Sequence, residues 1–210
     1  MTARLGPGIT LAGRPFPDAG DLVRRFCGMA WSGGAGGEYH ELEYYDALVT
    51  DPLVLSEVDV LAAQVLNPNM GPRDRQFFVE HAADVAAWLA PIPLDATLAD
   101  APDEMLDHLE RLVTAWPGGP TLSVLSKVLH RKRPGLIPLV DRNSIDLYRL
   151  VTGERVPARA WPGMLDALSD DVYDNRKALA ALSAEVLAAT GVTVSPLRVV
   201  DITIWMHGHR

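Results

Sequence analysis

The stretch that decides the fold runs from residue 117 to residue 148 and reads PGGPTLSVLSKVLHRKRPGLIPLVDRNSIDLY. The glycines and prolines at 117–120 predict a tight hairpin, and the apolar spacing that follows them predicts an amphipathic helix. A second proline-bounded apolar segment, 134–140, then leads to Asp141 at the predicted start of another helix. The stretch is therefore suited to holding one carboxylate in a fixed place.

Helical periodicity dominates the rest of the chain. Apolar residues recur at helical spacing in several segments: 18–31, 56–66, 73–89, 102–115, 161–189 (one long helix or two abutting ones) and a last helix capped by Ser195. Ser56 and Asp59 form the pattern of a capping box. Short strands are predicted only at 9–11 and 137–140. We therefore predict an all-α fold in which residues 1–210 form a single compact unit of two helical lobes.

Composition and charge limit the class of protein. The chain has 210 residues, 48% hydrophobic and 22% charged, which is ample for a buried core. No apolar run approaches the ~18 residues of a membrane span, and residues 1–15 lack the apolar core of a signal peptide, so we expect a cytoplasmic protein with no membrane partner. The single cysteine, Cys27, excludes an internal disulfide and a cysteine-rich zinc site. The net charge of −8 argues against nonspecific electrostatic binding of nucleic acid.

The motif at 117–148 resembles the helix-hairpin-helix DNA glycosylase superfamily. In that superfamily a glycine-rich hairpin precedes a helix, and a proline-bearing apolar stretch ends in the catalytic aspartate, as 134–141 does here with its Val-Asp step. The resemblance implies a two-lobed helical fold of the glycosylase type. More widely, three segments look like an actinobacterial family of unknown function, the DUF6308 type: 56–67, 126–148 and 197–205.

The resemblance makes Asp141 the first catalytic candidate. Cleavage of an N-glycosidic bond builds positive charge on the sugar, so a fixed carboxylate can stabilise that charge or activate a water. The dipole and free N–H groups at a helix N-terminus favour the ionised carboxylate. An aspartate followed by Arg142 and Ser144 is also an ordinary N-cap. The two roles are compatible.

Lys127 is the second catalytic candidate. Bifunctional members of the superfamily use a lysine that attacks the sugar and forms a Schiff base, which needs a desolvated amine of lowered pKa. In those enzymes the lysine lies in the first turn after the hairpin, where this chain has 121–123, and Lys127 lies more than a turn later. The alternative is a lysine whose stem packs while its head reaches solvent. We do not expect lyase chemistry.

The only dense basic cluster, residues 130–133, supplies ligand-binding candidates. His130, Arg131 and Arg133 could anchor a phosphate beside the hairpin, although cations at a helix C-terminus also compensate its dipole. Arg142, next to the candidate aspartate, joins this set. The hairpin departs from the superfamily pattern because Pro120 removes one N–H donor.

An aromatic and acidic segment, 38–46, supplies the remaining candidates. Tyr39, His40, Tyr44 and Tyr45 could stack on a flat ring, and the neighbouring acids suit a compact or cationic ligand better than a DNA groove. The alternative is an amphipathic surface segment with a tyrosine packed inward. The spacing of the histidine and acidic residues in this segment matches no metal-binding motif.

Three functions therefore stay open. The order of motifs favours a monofunctional N-glycosylase that acts on a modified nucleobase. The acidic balance and the proline in the hairpin favour an enzyme that uses the same interlobe pocket for a small-molecule ligand. A nonenzymatic binding module is the third. We expect no cofactor, and nucleic acid is a partner that the net charge does not support.

Overall fold

The computed structural model describes residues 8–30 and 41–209, and helices dominate it. The helices are α1 (Ala19–Phe26), α2 (Glu57–Leu66), α3 (Pro72–Glu80), α4 (Ala82–Leu89), α5 (Asp103–Glu110), α6 (Leu112–Ala115), α7 (Leu122–His130), α8 (Arg142–Thr152), α9 (Pro157–Asp174), α10 (Arg176–Thr190) and α11 (Pro196–Gly208). A π-helical turn, Leu42–Asp46, precedes α2, and a 3₁₀ turn, Leu98–Asp100, precedes α5. Strands β1 (Ile9–Leu11) and β2 (Arg14–Phe16) pair antiparallel. The predicted all-α class is confirmed.

Caps that are visible in the sequence set two of the helix starts. Ser56 Oγ accepts a hydrogen bond from the backbone N–H of Asp59 at 3.4 Å, and Asp59 Oδ2 accepts from the backbone N–H of Ser56 at 2.9 Å. This reciprocal pair is the predicted capping box. Ser195 Oγ accepts from the backbone N–H of Arg198 at 3.0 Å, with Pro196 in the first turn of α11. Both predicted starts are confirmed.

Two segments predicted as single helices are each divided. The segment 73–89 forms α3 and α4, because the backbone at His81 leaves helical geometry with φ −110° and ψ 20°. The segment 102–115 divides at Arg111 into α5 and α6. For 161–189, the alternative of two abutting helices is confirmed, with Asn175 between α9 and α10.

The prediction of a strand at 137–140 is wrong. The segment is irregular, and its backbone groups bond to side chains of α7 rather than to a second strand. Ser126 Oγ accepts from the backbone N–H of Val140 at 3.1 Å, and Lys127 Nζ donates to the Val140 carbonyl at 2.9 Å. Side chains therefore satisfy the polar groups that a strand ladder would otherwise pair.

Helices α7 and α11 lie at the centre of the packing. Helix α11 packs against α1, α8 and α10, and α2 packs against α7. Every residue of α7 except Ser123 is buried, and Trp161 of α9 is fully buried, with its Nε1 donating to the Leu109 carbonyl at 2.8 Å. Within the described ranges, no helix is both long and apolar enough to cross a membrane.

Candidate functional site

A pocket of about 300 Å³ opens between α1, α2, α7 and α11, at the end of the segment 134–141. Its volume is at the lower end of the range for small-molecule sites. The apolar part of its wall is formed by Phe26, Val65, Leu66, Pro68, Leu139 and Trp205. The polar and ionisable part is formed by Glu41, Lys127, Asp141, Arg198, Asp201 and His209.

Asp141 is the N-cap of α8 and also lines this pocket. Its Oδ1 accepts from the backbone N–H of Ser144 at 2.9 Å, and Ser144 Oγ accepts from the backbone N–H of Asp141 at 3.0 Å. No hydrogen bond to its Oδ2 is present among the residues that the structure describes. The N-cap alternative is therefore correct, and it uses only one of the two carboxylate oxygens.

Lys127 lies beneath the pocket with its head turned into the protein. Its Nζ donates to Ser123 Oγ at 3.0 Å, to the Ser123 carbonyl at 3.3 Å and to the Val140 carbonyl at 2.9 Å. The residue is 4% exposed, so the alternative of a solvated lysine head is wrong. All three N–H directions of an ammonium are thus used inside the protein.

Electrostatic neighbours act on the same amine. Burial lowers the pKa of Lys127, the charges of Asp141 and Asp201 oppose that shift, and Arg198 adds to it. The protonation of the lysine therefore depends on the charges of Asp141 and Asp201.

Arg198, which sequence reasoning missed, organises the other side of the site. Its Nε and Nη2 donate to the two carboxylate oxygens of Asp46, each at 2.9 Å, and its Nη1 donates to Asp201 Oδ2. The guanidinium carbon lies 5.2 Å from the ring centre of Phe26 and 5.3 Å from that of Tyr45. One signal could have found it: Arg198 and Asp201 are the only charged residues in the apolar run 197–206.

Arg131 and Arg133, the arginines of the predicted phosphate anchor, hydrogen-bond to groups inside the protein. Arg131 Nε lies 3.2 Å from Asp59 Oδ1, and its terminal nitrogens donate to the carbonyls of Tyr45 and Leu48. Arg133 is 2% exposed and donates to backbone carbonyls, with Nε 2.8 Å from that of Ile92. The hydrogen bonds of both arginines thus run to groups inside the protein, and the phosphate anchor stays a prediction. Arg131 also lines a second pocket, of about 190 Å³, together with His130 and Tyr45.

His130 is not a cationic anchor. Its Nδ1 donates to the Ile137 carbonyl at 2.6 Å, and burial lowers its pKa to about 3. The imidazole is therefore neutral at pH 7. Like Ser126 and Lys127, which also lie on α7, it hydrogen-bonds to the backbone of the segment before Asp141.

The remaining ligand candidates lie in different surroundings. Tyr45 is buried, and its hydroxyl donates to the Lys127 carbonyl at 2.7 Å, so it supports α7 and does not offer a free ring face to this pocket. Tyr44 is half exposed, and Arg142 is exposed, 3.6 Å from Asp146. Tyr39 and His40 lie outside the described residues.

The fold and the pocket define an all-helical protein with a carboxylate-lined cleft. The chain belongs to DUF6308, a family of unknown function, whose profile matches residues 19–208. No curated protein and no solved structure matches it. Within the described part of the chain, no group of three or more His, Cys, Asp or Glu side chains could hold a metal ion.

Proposed function

We propose that the pocket beside Asp141 is an active site that cleaves the N-glycosidic bond of a small, nucleoside-type ligand. The observation that carries this proposal is the geometry of Asp141. One oxygen caps α8, and the other has no donor among the described residues of the pocket. The cap fixes the carboxylate beside the aromatic and apolar wall of the pocket, a wall that suits the planar base of such a ligand.

Asp141 acts on the sugar in this proposal. As the bond to the base breaks, positive charge develops at the anomeric carbon, and a fixed carboxylate stabilises it and orients the attacking water. Lys127 is a positioning residue, because it binds the carbonyl of Val140, one residue before Asp141. It is not the nucleophile, since its donors are used by Ser123 and Val140.

The electrostatics support a small ligand over DNA as substrate. The arginines of the basic cluster 130–133 donate to internal groups, and the chain carries a net charge of −8. Within the pocket lining, the carboxylates of Glu41 and Asp141 repel phosphate. The proposal retains the expectation of a cytoplasmic enzyme without a cofactor.

A monofunctional glycosylase that acts on a modified base in DNA is the second candidate. The order of hairpin, helix, proline-bounded segment and aspartate supports it, as does the turn at 117–120 between α6 and α7, where Gly118 has φ +76°. This candidate includes the two-lobed scaffold of the helix-hairpin-helix superfamily.

Base release distinguishes the two candidates. The purified protein is incubated with a panel of nucleosides and with duplexes that carry modified bases, and free base is measured by chromatography. We expect release from a nucleoside, and a loss of ~100-fold or more in Asp141→Asn. Release from duplexes alone supports the second candidate, and full activity of Asp141→Asn rejects both.

A further inference from the structure

We propose that Asp201 is the proton donor to the departing base, so that the site works with two carboxyl groups of different roles. The inference rests on the proposed function of the pocket and adds a residue to it. Asp201 lies on α11 and lines the same pocket as Asp141.

The hydrogen bonding of Asp201 leaves one of its two oxygens able to carry a proton. Arg198 Nη1 donates to Oδ2, and no donor to Oδ1 is present in the described part of the chain. A carboxylic acid accepts at its carbonyl oxygen and carries its proton on the other oxygen. Oδ1 is therefore the oxygen from which a proton can pass to a ligand.

Asp201 shares its only ion-pair partner in the described part of the chain, Arg198, with Asp46. Arg198 uses two of its nitrogens for the bidentate contact with Asp46, so one buried cation serves two carboxyl groups. Lys127, which lines the same pocket, directs its donors to Ser123 and Val140. A pair of carboxyl groups that shares one cation favours protonation of one of them.

The environment of Asp201 has the matching electrostatic effect. Burial raises the pKa of Asp201 to about 6; Arg198 and Lys127 oppose the shift, and Asp141 and Asp46 add to it. The other ionisable side chains in the lining are those of Glu41 and His209. An acid that titrates near neutral pH is suited to give up a proton during a reaction.

The bond between the anomeric carbon and the base nitrogen breaks, and its electron pair stays on the nitrogen, which takes the proton from Asp201 Oδ1. Water attacks the anomeric carbon, and its proton passes to Asp141. Asp141 then releases that proton to solvent while Asp201 takes one up, so one water is consumed in each cycle.

The leaving group tests this role. In Asp201→Asn we expect nucleoside cleavage to fall ~100-fold, whereas cleavage of 4-nitrophenyl riboside changes by less than about threefold, because nitrophenolate departs without a proton. For comparison, Asp141→Asn should slow both substrates. In the wild type, kcat/KM for the nucleoside should fall above about pH 6, and this limb should be absent in Asp201→Asn. Equal losses on the two substrates would overturn the inference.

A second readout does not depend on activity. Carbon-13 NMR of the Asp201 side-chain carboxyl in the wild-type protein should titrate with a midpoint near 6. A midpoint below about 4, the ordinary value for aspartate, would overturn the proton-donor role even if the enzyme is a hydrolase. Absence of cleavage of any substrate by the wild type, with a midpoint near 6, would reject the proposed function and this role with it.

Discussion

Asp59 explains why a run of basic residues lies inside this protein. Its side chain is fully buried, 2.5 Å from Lys132 Nζ and 3.2 Å from Arg131 Nε, and Thr50 Oγ1 donates to it at 2.6 Å. Buried cations need such partners, because an unpaired charge in a low-dielectric interior is costly. Helix α2 thus supplies the counter-charge for the end of α7.

Removing this carboxylate should strongly destabilise the fold. Asp59→Ala is expected to lower the free energy of unfolding by ~3–5 kcal/mol, because two buried cations lose their partner. Urea denaturation at pH 7 measures it. The matched control is Glu57→Ala, an exposed acid on the same helix, which should change stability by less than ~1 kcal/mol. Similar losses in the two variants would contradict the buried-pair account.

The pH dependence of the same residue has a definite sign. Burial acts to raise the pKa of Asp59, but hydrogen bonds from Lys132, Thr50 and Ser56 outweigh it and lower the pKa below its usual value. Because the pKa is lower in the folded state, the stabilisation is complete above about pH 4 and is lost as pH falls through the folded-state value. Denaturation curves for wild type and Asp59→Ala should therefore converge at acid pH.

At the scale of elements, the segment 134–141 depends on close backbone packing. The Gly135 carbonyl accepts from the backbone N–H of Leu98 at 2.9 Å, and a Cβ added at Gly135 would lie 2.7 Å from the Ala96 carbonyl oxygen. Any residue other than glycine at position 135 would therefore require the backbone to shift. We expect the position of Asp141, six residues later, to depend on this close packing at Gly135.

We expect Gly135→Ala to destabilise the protein by more than ~1 kcal/mol, because the clash is with backbone and not with a flexible side chain. Thermal denaturation measures the effect, and base release should fall with it. Gly71→Ala is the control: its added Cβ would meet only Asp74 Oδ2, at 3.8 Å, so its cost should be smaller. The reverse order of the two costs would contradict this packing.

Local signals in the sequence were sufficient for elements defined by neighbouring residues. The capping box of Ser56 and Asp59 and the cap at Ser195 involve contacts over three positions, so both were predicted. The strand at 137–140 was mispredicted because its apolar pattern is typical of a strand, while its actual partners are Ser126 and Lys127 of α7. Periodicity identifies an apolar segment but not the groups that satisfy its backbone.

In the candidate site too, the sequence identified residues whose partners are near in sequence and missed those whose partners are far away in sequence. Asp141 lies 3 positions from Ser144, and Lys127 lies 13 positions from Val140, so one continuous motif contains both residues and the groups that fix them. Arg198 and Asp46 are 152 positions apart, so their pairing depends on the tertiary fold. The sequence singles out Arg198 as a charge in an apolar helix, but it carries no signal for its pairing with Asp46.

At the scale of the whole molecule, the charge distribution predicts weak binding to DNA. The net charge is −8, and the basic cluster 130–133 is turned inward. We expect an affinity for unmodified duplex weaker than about 10⁻⁴ M at physiological salt, the weak end of non-specific binding. Fluorescence anisotropy with a labelled duplex tests this. Micromolar binding that weakens steeply with added salt would contradict it and favour the DNA-directed candidate.

The most direct test of the central claim compares initial rates of base release by Asp141→Asn and Asp146→Asn. Asparagine caps a helix nearly as well as aspartate, so Asp141→Asn removes the charge while preserving the start of α8. Asp146 is an exposed acid on the same helix and serves as the control. The account predicts a loss of ~100-fold or more in Asp141→Asn and no loss in Asp146→Asn. Equal rates for the two folded variants would contradict it.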